Sequence, residues 1–291
     1  MDVQLSHAAA SHLAASHLVL SLFPGAGLLD RGFEQAGFCV VRGPDTLLGQ
    51  RIEDFHATSG HFTGVIGGPP CQDFSRARRS PPTGHGVRML KEFARVVTEA
   101  APLWWLMENV PQVPDVHVSG YVVQRFNVFA WEFGLKQRRN RCFQFGCRDG
   151  MKLVLGRQDQ SHFGRWARTV TTRDTRRNFS DLCELQGLPR TFTIYGFSRS
   201  AKIRAVANGV PVPMARAVAE AIRDRCVTDL RLCVCGCGRP LTGPARQQSA
   251  TAACRKRIER SRRQSHVLGE LVRERIFKET GFVQLTCPVS S

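Results

Sequence analysis

Cys71 closes the stretch Val65-Ile66-Gly67-Gly68-Pro69-Pro70-Cys71-Gln72-Asp73-Phe74-Ser75, a lone thiol on a stiff Gly-Gly-Pro-Pro turn directly after a short apolar run. Three chemistries want such a residue: disulfide bonding, metal ligation and nucleophilic attack. The chain holds 11 cysteines, an odd and irregularly scattered number. A chain of 291 residues can bury a full core and needs no staples, so the disulfide reading is weak. No second Cys or His stands at ligand spacing around Cys71, which disfavours metal. A second reactive group lies downstream. Glu108 ends the apolar run Leu103-Trp104-Trp105-Leu106-Met107 and is followed by Asn109. A thiol and a carboxyl facing one pocket would be a covalent-catalysis arrangement; a turn or capping carboxylate is the plain alternative for Glu108.

Both residues need elements to position them. Residues 17–23 read as a short buried strand, followed by Pro24-Gly25-Ala26-Gly27 and a segment of helical spacing. Strand, glycine turn and helix open a nucleotide-type α/β fold, in which backbone approaches a ligand closely. Residues 38–41 give a second strand that leads to Asp45, placed either to meet a ribose or to shape the turn after Pro44. A third strand delivers Cys71 to its carboxyl end, where ligands bind in open parallel sheets. There the thiol is expected to be partly exposed, with its pKa lowered by a nearby helix start. Residues 76–88 read as a basic loop suited to phosphates, or as an idle solvated one; a helix over 90–100 follows, and then the Glu108 strand.

Charge narrows the partner. Lys and Arg number 41 against 24 acids, for a net charge of +17, and arginine dominates. The planar guanidinium suits bidentate phosphate contacts, so nucleic acid is the natural polyanion; arginine excess from a GC-rich genome is the alternative. No run approaches the ~18 apolar residues of a membrane span, and residues 1–16, Ala/Ser/His-rich with an acidic Asp2, read as a poorly ordered leader rather than a signal peptide.

Taken together, the motifs resemble the cytosine-C5 DNA methyltransferases, of prokaryotic or phage type. "LSLFPGAGLLDRGF" resembles the family's cofactor motif, "GGPPCQDFS" its nucleophile motif and "MENV" its glutamate motif. "QRRNRCFQFG" resembles the Gln-x-Arg-x-Arg strand, "RTVTTRD" and "ELQGLP" the segments before the last motif, and "VANGVPVPMARAVAEAI" that last motif. The resemblance covers roughly residues 17–223, in the family's order. It implies a Rossmann-like, S-adenosylmethionine-dependent methyltransferase fold over residues 17–230, a mostly parallel sheet with helices on both faces. A small recognition insert near 147–168 and a last motif at 205–223 that folds back on the core complete it. Cys71 would add to C6 of a cytosine flipped from duplex DNA, Pro70 shape its turn, and Glu108 act on N3. Arg139 and Arg141 would orient the base and Asn109 support the site. S-adenosylmethionine would be lined by Phe23, Gly25, Ala26, Gly27, Asp45, Ile52, Pro69, Asn208 and Val210. Gln72, Ser75, Arg76, Arg78, Arg79, Gln137, Arg168 and Thr169 would meet DNA. The implied setting is a monomer in the cytoplasm, acting on double-stranded DNA, with a cognate restriction endonuclease as companion and no membrane partner.

Three departures stand out. Arg51 precedes Ile52 where the family has Asp before Ile, and Asp54 would supply the missing acid only through a register shift. Ala207-Asn208 replaces Gly-Asn. Only about twenty residues stand where members hold a large recognition region. From residue 231 the composition changes again. The stretch 231–263 has nine basic residues against one acid and contains Cys233, Cys235, Cys237 and Cys254, in the manner of a small zinc module of the treble-clef kind. A basic tail with incidental thiols is the alternative, and 266–277 has helical spacing. Two rival functions share much of the pattern: a tRNA cytosine-C5 methyltransferase, and a catalytically weak DNA-binding protein. An NAD enzyme leaves the Pro-Cys-Gln turn unexplained.

Overall fold

The computed structural model describes residues 17–76, 78–150, 152–157, 166–226, 248–249 and 251–260. The leader at 1–16, the thiols Cys233, Cys235 and Cys237, the helical segment at 266–277 and part of the recognition insert (151 and 158–165) lie outside the described residues. The chain divides into two compact units, Met1–Asp229 and Leu230–Ser291. Of the second, residues 252–260 are helical, with the Thr251 hydroxyl accepting from the Cys254 backbone N–H at 3.2 Å.

The described residues of the first unit contain strands β1 (Leu18–Leu22), β2 (Cys39–Arg42), β3 (Gly64–Gly67), β4 (Trp104–Asn109), β5 (Val122–Phe129) and β6 (Asn140–Cys147). The helices are α1 (Leu28–Gln35), α2 (His85–Ala100), α3 (Phe179–Leu185), α4 (Arg199–Asn208) and α5 (Val212–Cys226). The strands form one sheet in the order β2-β1-β3-β4-β6-β5. β1 to β4 run parallel, and β6 is antiparallel to both of its neighbours. This is the Rossmann-like α/β architecture expected from the motifs.

Burial explains why the short apolar runs became central strands. β3 and β4 are buried at every residue, as strands covered on both faces must be. Alternate side chains then feed two cores. Trp104, Leu106, Phe143 and Phe145 pack with Phe33 of α1 and with Val218 and Ile222 of α5. Trp105 and Met107 pack with Phe93, Val96 and Val97 of α2 on the opposite face. The spacing of α2 suits this role: Met89, Leu90, Phe93, Val96, Val97 and Ala100 form one buried stripe. On the other face α1 and α5 approach so closely that a Cβ on Gly32 would collide with the Ala215 Cβ and fall 2.6 Å from the Arg216 backbone nitrogen.

Two boundaries differ from the sequence reading. α2 begins at His85 rather than 90, because the Asp73 carboxylate accepts from the Gly86 N–H at 2.9 Å and caps the helix from thirteen residues upstream. The basic loop therefore ends at Gly84. β5 is marked by none of the motifs; it pairs with β6 over its whole length, from Val122 opposite Cys147 to Phe129 opposite Asn140.

Candidate active site

Strand order reverses between β1 and β3, and the crevice outside their carboxyl ends is where open α/β sheets bind ligands. A cavity of about 680 Å³ opens there. Its floor at β1 is a strained turn. Phe23 is held at φ 55°, a left-handed conformation rare for a bulky residue, and Gly25 follows at φ 54°. Asp45 braces this turn: one carboxylate oxygen accepts from the Gly25 N–H at 2.8 Å, the other from the Leu47 N–H at 2.7 Å. Beneath it, the buried Asp30 of α1 accepts from the Ser21 hydroxyl at 2.6 Å and from Arg42 Nε at 2.9 Å. A Cβ on Gly27 would collide with the Arg42 guanidinium, so Gly27 serves the packing of the turn and is not part of the cavity wall. That corrects its expected place against a cofactor.

At β3, Cys71 follows the Gly-Gly-Pro-Pro turn into the cavity, and Asn109 fixes that turn by donating from Nδ2 to the Pro69 carbonyl at 2.9 Å. Glu108, at the end of the neighbouring strand β4, is 6% exposed. Arg141 of β6 brings Nε to 2.8 Å from Glu108 Oε1, an ion pair between two largely buried side chains. Burial raises the Glu108 pKa, and the Arg141 and Arg139 charges only partly oppose it. The acid thus holds its proton to a higher pH than an ordinary carboxyl. Cys71 also moves upward, through burial first and the Glu108 charge second, with Arg141 and Arg139 opposing. The expected lowering by a helix start fails for a physical reason: Gln72–Phe74 is a single 3-10 turn, with too few aligned peptides for a useful dipole.

The structure gathers most of the expected residues. Cys71, Pro70, Glu108, Asn109 and Arg141 line the cavity, and so do Phe23, Gly25, Ala26, Asp45, Ile52, Pro69, Asn208 and Val210. Arg139 is the exception among the catalytic candidates. It is 1% exposed, and its guanidinium donates to the carbonyls of Val170 (3.1 Å), Ala207 (2.7 Å) and Gly209 (2.8 Å). It clasps the α4–α5 junction to β6 rather than reaching the cavity wall. Gln137, expected to meet DNA, is likewise buried; it donates to the Leu185 carbonyl and to Gln186 Oε1. Among the other expected DNA contacts, Arg76, Arg78, Arg79 and Arg168 are exposed, Ser75 is half-buried, and Gln72 is exposed at the cavity mouth. The Thr169 hydroxyl donates to the Arg138 carbonyl. Of the four candidate zinc ligands only Cys254 is described; it is buried, and the Thr251 hydroxyl donates to its sulfur at 3.1 Å. No group of three or more metal-ligating side chains occurs among the described residues.

Several wall residues carried no signal in the sequence. His85 and Arg88 read as loop but stand on the first turn of α2, while Phe197 and Arg204 arrive with α4. Ser198, which caps α4 by accepting from the Ala201 N–H at 3.3 Å, is the local clue that marks that helix. The acid beside Ile52 in the cavity wall is Glu53, not Asp54, and Arg51 lies 3.5 Å from its carboxylate.

Comparisons with known proteins place this constellation. Residues 49–181 match the family model for C-5 cytosine-specific DNA methylase. The chain is 32% identical over 180 residues to the Type II methyltransferase M.AquIA of Picosynechococcus sp., which spans 45% of this chain and 72% of that protein. It is 30% identical over 169 residues to the Type II methyltransferase M.FnuDI of Fusobacterium nucleatum, covering 46% of this chain. The chain spans about half the length of several curated relatives it matches, 48% in the case of M.FnuDI. In fold it is similar to the S. pombe Dnmt2 methyltransferase, with a TM-score of 0.53 at 10% identity, over 72% of this chain and 99% of that one. With the thiol turn, the buried glutamate and the arginine beside it all inside or bordering the matched region, the chain belongs to the C-5 cytosine-specific DNA methylase family.

Proposed function

We propose that the protein transfers a methyl group from S-adenosylmethionine to C5 of a cytosine flipped out of duplex DNA. One observation carries the reading: Cys71, Glu108 and Arg141, from three different strand ends, open on the same cavity. The cavity also fits the cofactor. Its volume lies within the roughly 300–1,000 Å³ of small-molecule sites. A Cβ added at Gly25 meets nothing within 4 Å, and one at Gly68 would stand 3.5 Å from Glu108 Oε2, so both glycines hold space open where a ligand would lie. Phe23, Ile52 and Val210 would hold the apolar and aromatic parts. Asp45, Asn208 and Glu53 would supply the polar contacts, with Glu53 the acid available for an adenine amine in place of the family's Asp. Bound there, S-adenosylmethionine supplies an electrophilic methyl group.

The remaining chemistry belongs to the chain. Cys71 Sγ attacks C6 of the cytosine, forming a carbon–sulfur bond while its proton passes to solvent or a neighbouring base. Glu108, whose pKa burial raises, donates a proton to N3 and so makes C6 electrophilic. The C5=C6 electron pair is thereby directed to C5, where the methyl group is accepted. Loss of the C5 proton to water or another base, expulsion of the Cys71 thiolate and return of the N3 proton to Glu108 restore the aromatic ring. Arg141 stabilises the negative charge that passes through this pocket, as Arg139 does from behind it. Flipping is required because addition at C6 and transfer to C5 take place through the faces of the ring, and stacked neighbours cover both faces inside a duplex. A restriction endonuclease as companion and a cytoplasmic setting belong to the same proposal, which starts from the likeness to Type II methyltransferases. No helix among the described residues is long and apolar enough to cross a membrane.

The test is covalent trapping. Duplex DNA carrying 5-fluorocytosine should become bonded to the wild-type protein in the presence of S-adenosylmethionine, because fluorine at C5 cannot leave as a proton. Cys71→Ala should neither trap nor methylate, while still binding the cofactor. Methylation of ordinary duplex DNA without trapping would refute the covalent route, and preferred methylation of tRNA would reassign the substrate.

A further inference from the structure

Three aromatic rings stack on the surface beside the active site and belong to none of the hydrophobic cores. Phe129 and Trp131 lie 5.5 Å apart at an interplanar angle of 22°, and Trp131 and Trp166 lie 6.0 Å apart at 31°. Phe129 is 37% exposed, and the two tryptophans are half-buried. Their position is fixed by the sheet. Phe129 pairs with Asn140 at the end of β6 that lies beside Asn109 of β4, so the stack stands at the same sheet edge as Cys71 and Glu108. Exposed cations stand on the adjoining segments. The backbone of Trp166's neighbour Ala167 bonds Lys136 and Arg138 at 2.9 and 3.0 Å, and the side chains of Lys136, Arg138 and Arg168 are exposed. The nearby acid, Glu132, is turned inward, accepting from the Phe129 N–H at 2.5 Å and pairing with Arg157 at 2.9 Å.

Partly exposed aromatic rings near arginine and lysine suit a nucleic-acid strand: ring edges and the exposed Phe129 take sugars and bases, cations take phosphates. We infer that Phe129, Trp131 and Trp166 form a platform for the DNA flanking the target cytosine, with Lys136, Arg138 and Arg168 holding its backbone. The inference rests on duplex DNA being the substrate. It accounts for how a chain with so short a recognition segment holds DNA in register with Cys71. The platform is assembled from β5, the turn after it and the segment that returns to the site.

The chain has four tryptophans, and the other two, Trp104 and Trp105, are buried in the sheet cores, so tryptophan fluorescence reports on this surface. Titrating the full chain with a duplex oligonucleotide should quench that fluorescence, and Trp131→Phe with Trp166→Phe should remove the quench while anisotropy still records binding. Trp166→Ala should weaken binding roughly 5- to 100-fold, the range of a lost aromatic contact, and Trp166→Phe should restore most of it. Arg138→Gln and Arg168→Gln should each lower the log–log salt slope by about one. If Trp166→Ala proves unstable to heat, the wild-type quench and the Phe variant decide the matter. Normal 5-fluorocytosine trapping without any quench, or tight binding by Trp166→Ala with an unchanged salt slope, overturns the platform and leaves the methyltransferase reading intact. Failure of the wild type to bind duplex DNA overturns both.

Discussion

Replacing Arg139 with methionine should cost far more stability than its distance from the surface chemistry suggests. The side chain is 1% exposed and makes three hydrogen bonds to backbone carbonyls of Val170, Ala207 and Gly209. Hydrogen bonds from a charged donor contribute about 1.5–3 kcal/mol each, but the guanidinium gives up hydration to make them, and burial and the Arg141 charge pull its pKa down. Removing one side of a buried charged network usually costs about 3–5 kcal/mol, which is the figure expected here. For a unit of this size each kcal/mol moves Tm by about 2–4 °C, so Arg139→Met should melt roughly 10 °C early. Because Asn208, Gly209 and Val210 line the cavity, S-adenosylmethionine affinity should fall with it. Arg139→Lys keeps the charge but not the fork that reaches three carbonyls, and should fall between the two. Thermal unfolding with and without cofactor measures both effects. A methionine variant that melts within about 2 °C of wild type, yet loses turnover, would refute the clasp and return Arg139 to direct contact with the base.

Two other perturbations test the site and its frame. Burial and the Glu108 charge both raise the Cys71 thiol, so its alkylation rate by iodoacetamide should climb about tenfold per pH unit through the neutral range, as a largely protonated thiol must. Glu108→Gln removes the raising charge, so at any pH where Glu108 is ionised the variant's thiol should alkylate faster even as methyl transfer falls by about 10²–10⁴-fold; slower alkylation would contradict the coupling. Gly32→Ala drives a Cβ into the Ala215 Cβ and places it 2.6 Å from the Arg216 backbone nitrogen, so overpacking between α1 and α5 should destabilise by about 1–3 kcal/mol, read as a drop in Tm.

The residues proposed to do chemistry were legible because chemistry restricts them. A thiol on Gly-Gly-Pro-Pro, a carboxyl ending an apolar strand and a Gly-x-Gly turn serve few purposes in combination besides a covalent site beside a cofactor, and all three sit where the sheet order reverses. What escaped was decided by partners far along the chain. Arg139 and Arg141 look equivalent in Gln-x-Arg-x-Arg, and only carbonyls about 70 residues downstream separate the clasp from the cavity residue. Gln137 is hidden in the same way, by Gln186 of the segment after α3. His85 and Arg88 read as loop in the sequence because no local cap precedes them; their cap is Asp73, on the nucleophile turn itself. The aromatic stack joins Phe129 and Trp131 to Trp166, a pairing that no local pattern announces.

The two upward pKa shifts belong together. Cys71 and Glu108 share a cavity, each is raised chiefly by burial, and the Glu108 charge adds to the rise at Cys71. If duplex DNA is the substrate, as proposed, the arrangement helps, since the buried pair resists becoming two adjacent negative charges beside a polyanion. The proton on Glu108 is also the one that N3 of the base requires, and donating toward that nitrogen lets the carboxyl lose its isolation without first ionising in a dry pocket. The Arg141 contact at 2.8 Å holds the carboxyl in place at the cavity. An incoming base finds an acid already oriented, with its proton retained by burial. In the proposed mechanism the thiolate is needed only once protonation at N3 has made C6 electrophilic, and Arg141 and Arg139, which oppose the rise in the Cys71 pKa, would then favour it. The site therefore defers the charge it needs until the substrate is in place.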